Sequence, residues 1–175
     1  MAAPSHARAI RAVSDLLSRL RLDFVFVGSV ARAAHIGGIV ASGSIDAVAT
    51  MGPQQKSQVA MMANNNGFGV DRDELDAAEE LDLVPISFEG TRVHILVASN
   101  ALYGRMVADG VSAEFDELAI KVPRAEDFAL LLQLNNDVES LMSVIESPEF
   151  DREGYNAKLS AIGLRDLIVP AEETR

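Results

Sequence analysis

The stretch FVFVGSVARAAHIGGIVASGSIDAVAT, residues 24–50, decides the fold. Residues 23–27 form a short run of Phe and Val that is too apolar for either face to lie in water, which predicts a buried strand. Gly28 ends the strand, and Ser29 is placed to cap a short helix over residues 30–35. Gly37 and Gly38 then end the helix, and residues 44–49 are predicted to form a second strand. The stretch is therefore predicted to fold as strand, helix, strand.

The segments on either side extend this alternation of helices and strands. Apolar residues recur at helical spacing over residues 5–21, which predicts an amphipathic helix. A Pro near the first turn and an Asn-Asn-Asn-Gly stop favour another helix over 53–65. The other predicted elements are a hairpin of strands 83–88 and 92–97 around Glu89-Gly90, a helix over 100–109, a hairpin of strands 112–115 and 118–122 around Asp116-Glu117, and helices from residue 124 onward.

Composition limits the classes of function. The 175 residues carry 15 Lys and Arg against 26 Asp and Glu, a formal net charge of −11, which disfavours nonspecific nucleic-acid binding and anionic membranes. The chain has no Cys, which excludes disulfides, thiolate metal sites and thiol nucleophiles. It has no membrane-length apolar run and no continuous signal-peptide core, so we expect a cytoplasmic protein. We expect a core over residues 1–123, with a helical extension over 124–175 packed on it as one structural unit.

The turn after the first strand could bind an anion. Gly28 lets a ligand approach the backbone, and the amides at the following helix start favour negative charge. Asp46, on the neighbouring predicted strand, could hold Mg²⁺ beside the phosphates of such a ligand. The same spacing also fits a plain Ser29 N-cap after a strand, with no ligand.

The sequence resembles the minimal nucleotidyltransferases of the DNA polymerase β superfold, in particular the abortive-infection and toxin-type branch. The matching features are Gly28-Ser29, the Ala-rich run over residues 31–35, and Asp46. Weaker likeness continues at 91–98, around 122–127 and in the helical tail. The resemblance implies an α+β fold, with a nucleotidyltransferase-like mixed β-sheet flanked by helices and a helical C-terminal portion.

The resemblance also implies an activity and its residues. Such proteins transfer a nucleoside monophosphate from a nucleoside triphosphate (NTP) to a hydroxyl, with two Mg²⁺ or Mn²⁺ ions held by three carboxylates. Here Ser44 stands at the first Asp position, Asp46 at the second and His94 at the third. The positions implied for nucleotide binding are Gly28, Ser29, Arg32 and Ser42, and Val40 stands where the family has an Arg.

Three functional hypotheses follow from these departures. One carboxylate, Asp46, supplies neither the charge nor the geometry for two hard cations, which favours an impaired transferase that retains a nucleotide or a protein partner. The second is an active transferase with an atypical metal site. The third is an oligomeric scaffold that uses the fold only for packing.

Two further features have competing interpretations. His94 could pair with Asp46 across adjacent strands and bind Mn²⁺ or Zn²⁺, or it could be a half-buried strand histidine bonded to a neighbour. Residues 71–82 begin like a calcium loop, but Leu75 stands at a ligand position and Asp82 at the last one, so a solvated acidic loop is predicted. His6 and His35 have no partner pattern and are interpreted as structural.

Overall fold

The computed structural model describes residues 4–38, 43–78, 80–148 and 150–163. The chain separates into two compact units, Met1–Pro123 and Arg124–Arg175. None of the helices in the described part of the chain has both the length and the apolarity to span a bilayer.

The first unit contains five helices and six strands among its described residues. In chain order they are α1 (Pro4–Arg19), β1 (Phe24–Val27), α2 (Gly28–Ile36), β2 (Ile45–Ala49), α3 (Pro53–Asn65), α4 (Arg72–Ala77), β3 (Leu83–Phe88), β4 (Thr91–Val97), α5 (Ala101–Ala108), β5 (Val111–Phe115) and β6 (Leu118–Val122).

The main sheet has four strands in the order β1-β2-β4-β3. Strand β2 runs antiparallel to β1 and parallel to β4, while β3 and β4 form an antiparallel hairpin. Strands β5 and β6 form a separate two-stranded sheet. The sheet is therefore mixed and flanked by helices, which confirms the predicted α+β class.

The two faces of β4 differ in burial. Val93, Ile95 and Val97 are buried, whereas Arg92 is exposed and His94 is half-buried, because successive strand side chains point to opposite faces. Helix α1 contacts both β2 and β4, and its apolar residues Ile10, Val13 and Leu17 are fully buried. The face of β4 that carries Arg92 and His94 is therefore the less buried one.

The predicted Ser29 cap is wrong. Helix α2 begins at Gly28 with Val27 in the cap position and no side-chain cap, and the Ser29 hydroxyl donates to the Ser44 carbonyl at 3.4 Å. Gly28 has a φ of +57°, so the chain turns one residue earlier than predicted and Ser29 falls inside the first helical turn.

The predicted acidic loop is also wrong in part, because residues 72–77 form helix α4. The Asp71 carboxylate accepts hydrogen bonds from the backbone amides of Asp73 and Glu74, as an N-cap does. Asp73 and Glu74 also lie in the first turn, where negative charge is favourable. The acidic residues therefore start a helix as well as carrying charge.

The second unit consists, in its described part, of α6 (Ala125–Leu134), α7 (Val138–Ile145) and α8 (Arg152–Ala161). Helix α6 contacts both of the others. The Lys158 ammonium lies 2.7 Å from an oxygen of the fully buried Asp127, and the Tyr155 hydroxyl donates to Gln133. These bonds tie α8 to α6 around a core that includes Phe128.

Candidate functional site

The parallel pairing of β2 with β4 brings Ser44, Asp46 and His94 together. Asp46 and His94 are direct partners in the register, so their side chains share one face of the sheet. The Ser44 hydroxyl donates to Asp46 Oδ1 at 2.8 Å, and His94 Nδ1 lies 2.9 Å from the same oxygen. One carboxylate oxygen thus has two hydrogen-bonding partners.

Gly28 encloses the other side of this carboxylate. A Cβ atom on Gly28 would lie 2.8 Å from Asp46 Oδ2, a separation that real Cβ atoms essentially never show. The Asp46 and His94 side chains are 26% and 36% exposed, so the pair lies at the surface of the sheet rather than in the core.

Two cavities meet this polar face. The larger, of about 560 Å³, is lined by His6, Gly43, Ser44, Glu89, Gly90, Thr91, Arg92 and His94. A second, of about 260 Å³, is also lined by Arg92 and His94, together with Glu74, Pro85 and apolar residues of the α4 region. Arg92 and His94 therefore stand between two openings.

The residues present do not fit the two metal ions that the resemblance implies. Among the described residues, no group of three His, Cys, Asp or Glu side chains could hold a metal ion. The sequence has no Asp or Glu between Asp23 and Asp46, and none between Glu89 and Asp109, so neither the loop before β2 nor strand β4 supplies a second carboxylate. Oδ1 of Asp46 would also have to give up hydrogen bonds to become a ligand.

The structure gathers five of the seven predicted site residues. Ser44, Asp46 and His94 are hydrogen-bonded, Gly28 lies against Asp46, and Ser29 reaches the Ser44 backbone. The other two are not in this group. Arg32 lies on α2 with an exposed side chain, and Ser42, like Val40, lies outside the described residues.

Sequence reasoning missed Arg92, Glu89 and His6 as cavity-lining residues. The period of two along a strand could have found Arg92, since it precedes His94 by two positions. Arg8 of α1 forms an ion pair with Glu89 in the β3–β4 turn, a long-range contact that no local pattern indicates. His6 is half-buried, and its two ring nitrogens are buried without a hydrogen-bond partner.

The other predicted structural histidine, His35, lies at the end of α2. Its Nε2 is 2.9 Å from the carbonyl oxygen of Pro123. This bond joins the helix to the segment after β6 and does not involve the cavities.

Comparison with solved structures identifies the fold. The chain is similar to the antibiotic-resistance factor ANT(2'')-Ia in a crystal structure with adenylyl-2''-tobramycin, at 13% identity and a TM-score of 0.56, covering 89% of this chain and 95% of that one. A solution structure of the same factor gives 12% identity and a TM-score of 0.60, covering 87% and 88%. No family model and no curated protein matches the sequence.

A third similar structure is that of TM1012 from Thermotoga maritima, a proposed nucleotidyltransferase. It has 13% identity and a TM-score of 0.54, covering 81% of this chain and 92% of that one. At such identities the likeness shows the fold alone, and it confirms the nucleotidyltransferase fold.

Proposed function

We propose that this chain is a nucleotidyltransferase-fold protein that binds a nucleotide but is impaired in nucleotidyl transfer. The observation that carries the proposal is the state of Asp46, whose Oδ1 is bonded by Ser44 and His94 with no second carboxylate beside it among the described residues. Gly28 and Ser29 are the proposed phosphate-facing turn. The abortive-infection and toxin-type branch is proposed on the resemblance of residues 28–46 alone.

Two of the three carboxylates that the family uses to hold metal ions have no counterpart here, so we expect a large loss in the rate of nucleotidyl transfer. Mg²⁺ needs oxygen ligands in near-octahedral array, and the family mechanism uses three carboxylates to hold two ions. Loss of one electrostatic contact to a transition state costs about 10²-fold to 10³-fold in rate. Ser44 and His94 stand at the positions of two of these carboxylates, so we expect the protein to retain nucleotide binding and to lose nucleotidyl transfer.

A combined stability and transfer measurement tests this proposal. The melting temperature of the full chain is measured with ATP, CTP, GTP and UTP, each with Mn²⁺ and with EDTA. We expect at least one nucleotide to stabilise the protein in EDTA, since a ligand at a hundred times its dissociation constant adds about 2.7 kcal/mol. In parallel, transfer of labelled nucleotide to RNA or protein acceptors should stay at background.

Three results would contradict the proposal. Metal-dependent transfer that Asp46→Asn abolishes would show an active enzyme, provided that Asp15→Asn, an exposed carboxylate on α1, leaves it intact. Stabilisation only in Mn²⁺ would also favour a working metal site. If no nucleotide stabilises the chain, the scaffold hypothesis replaces nucleotide binding.

A further inference from the structure

Two polar groups of β4 that line the larger cavity, the Arg92 guanidinium and His94 Nε2, have no partner among the described residues. Arg92 is exposed and has no ion pair within the described part of the chain. His94 uses Nδ1 for Asp46, and its Nε2 has no hydrogen-bond partner among the described residues. The two residues are two positions apart on one strand, so their side chains project from the same face.

The neighbours of His94 fix its ring. Oδ1 of Asp46 accepts from the Ser44 hydroxyl and lies 2.9 Å from His94 Nδ1, so Nδ1 is assigned as the donor in this pair. A carboxylate that holds one ring nitrogen orients the imidazole and leaves the other nitrogen available. Gly28 lies beside the other carboxylate oxygen, Oδ2. Nε2 is therefore a positioned group rather than a mobile surface one.

The charges around the cavity favour an anion there. The protein has more acidic than basic residues, 26 against 15, yet Arg92 has no carboxylate partner among the described residues. Glu89 on the cavity wall is bonded to Arg8, and Asp46 is bonded to Ser44 and His94. Glu74 lines the second cavity together with Arg92 and His94.

We propose that Arg92 and Nε2 of His94 bind the phosphate group of the ligand directly, with no divalent cation between them. This rests on the nucleotide binding proposed above and names the residues that recognise the phosphates. The guanidinium supplies charge-assisted hydrogen bonds. A phosphate oxygen would accept a hydrogen bond from Nε2 in the ring form that carries a proton on that nitrogen. A cavity of about 560 Å³ is of small-molecule size.

The test uses ATP, inorganic tripolyphosphate and adenosine as probes, all in EDTA, with affinities measured by calorimetry. We expect ATP and tripolyphosphate to bind the native chain and adenosine to bind at least about tenfold more weakly than ATP, since the phosphates carry the charge-assisted bonds. Arg92→Gln should weaken both phosphate probes about tenfold or more. Arg11→Gln, an exposed arginine on α1, is the matched control and should leave both affinities unchanged.

His94→Asn separates the ligand role from a structural one. The Asn amide can still donate to Asp46 from the position of Nδ1 but presents nothing at the position of Nε2. We expect this variant to melt near the native temperature and to lose about tenfold or more in affinity for tripolyphosphate. In the native protein, the ¹⁵N resonance of Nε2 should shift on addition of tripolyphosphate, a readout that does not depend on any variant folding.

The outcomes distinguish this inference from the proposed function. If ATP binds in EDTA but Arg92→Gln and His94→Asn bind it as the native chain does, this inference is wrong and nucleotide binding stands. If tripolyphosphate binds through Arg92 and His94 while no nucleotide does, the inference stands and the proposed function fails. An unmoved Nε2 resonance at saturating tripolyphosphate overturns the inference by itself.

Discussion

At the scale of single residues, Gly28 lies so close to the Asp46 carboxylate that there is no room for a Cβ atom. Its φ of +57° lies in the left-handed region, where a Cβ atom is unfavourable by about 1–2 kcal/mol. A Cβ there would also approach Asp46 Oδ2 to 2.8 Å. We therefore expect Gly28→Ala to lower the free energy of unfolding by about 2–4 kcal/mol, as measured by urea denaturation.

The control for Gly28→Ala is Gly67→Ala. Gly67 has a φ of +83°, but a Cβ added there would meet nothing within 4 Å, so its substitution reports backbone strain without a clash. We expect it to lower the free energy of unfolding by only about 1–2 kcal/mol.

A double variant tests the contact itself. Gly28→Ala/Asp46→Ala should lose less free energy of unfolding than the sum of the two single changes, because removing the carboxylate relieves the contact. Strict additivity would show that Asp46 does not press against this turn.

At the scale of elements, the β5–β6 hairpin uses two residues that its turn does not favour. Asp116 and Glu117 have φ values of +48° and +65°, and a two-residue turn of this kind prefers Gly at the second position. We expect Glu117→Gly to raise the free energy of unfolding by about 0.5 kcal/mol, since relief of left-handed strain exceeds the entropy lost by a more flexible unfolded chain. Thermal denaturation followed by circular dichroism measures the change.

The matched variant for the hairpin is Glu114→Gly. Glu114 is exposed in β5, where the backbone is extended and Gly is unfavourable by about 0.5–1 kcal/mol. It should therefore destabilise the chain. If Glu117→Gly destabilises it as much, left-handed strain in the turn is not significant.

The elements also show what the sequence could predict. Hydrophobic period and turn residues were enough for the β3–β4 hairpin, because Glu89-Gly90 lies between two strong strand patterns. They were not enough for the start of α2, since whether Ser29 caps the helix depends on the backbone angle at Gly28. Helix α4 was not predicted, because the acidic composition of residues 71–82 was interpreted as that of a solvated loop. The N-cap formed by Asp71 was therefore not recognised.

The candidate site was predictable only in part, because it depends on contacts between residues that are far apart in the sequence. The resemblance put Ser44, Asp46 and His94 at corresponding positions, but their hydrogen bonds depend on the pairing of β2 with β4, which are 48 residues apart at Asp46 and His94. Arg92 and Glu89 enter the cavity wall through that pairing and through the contact with α1. The pairing of Asp46 with His94 was one of two interpretations open from the sequence, and the strand period could have added Arg92, but the contact of Arg8 with Glu89 leaves no local signal in a single sequence.

At the scale of the whole molecule, the net charge of −11 sets how the protein responds to salt. Like charges repel one another in the compact state, and the Debye length falls from about 30 Å at 0.01 M salt to about 8 Å at 0.15 M. We therefore expect the melting temperature to rise between 10 and 150 mM NaCl, by about 2–4 °C for each kcal/mol of relieved repulsion. A flat or falling melting temperature would mean that favourable ion pairs dominate.

A charge-reversal variant separates this repulsion from general salt effects. Glu80→Lys, Asp82→Lys and Glu114→Lys change three exposed carboxylates and reduce the excess of negative charge by about half. The triple variant should be less sensitive to NaCl than the native chain, because less repulsion remains to be screened. Binding of tripolyphosphate at Arg92 should respond in the opposite direction and weaken over the same range of salt, since screening acts there on an attraction. If the melting temperature rises while the affinity for tripolyphosphate falls, the repulsion acts over the protein surface and the attraction acts at the cavity.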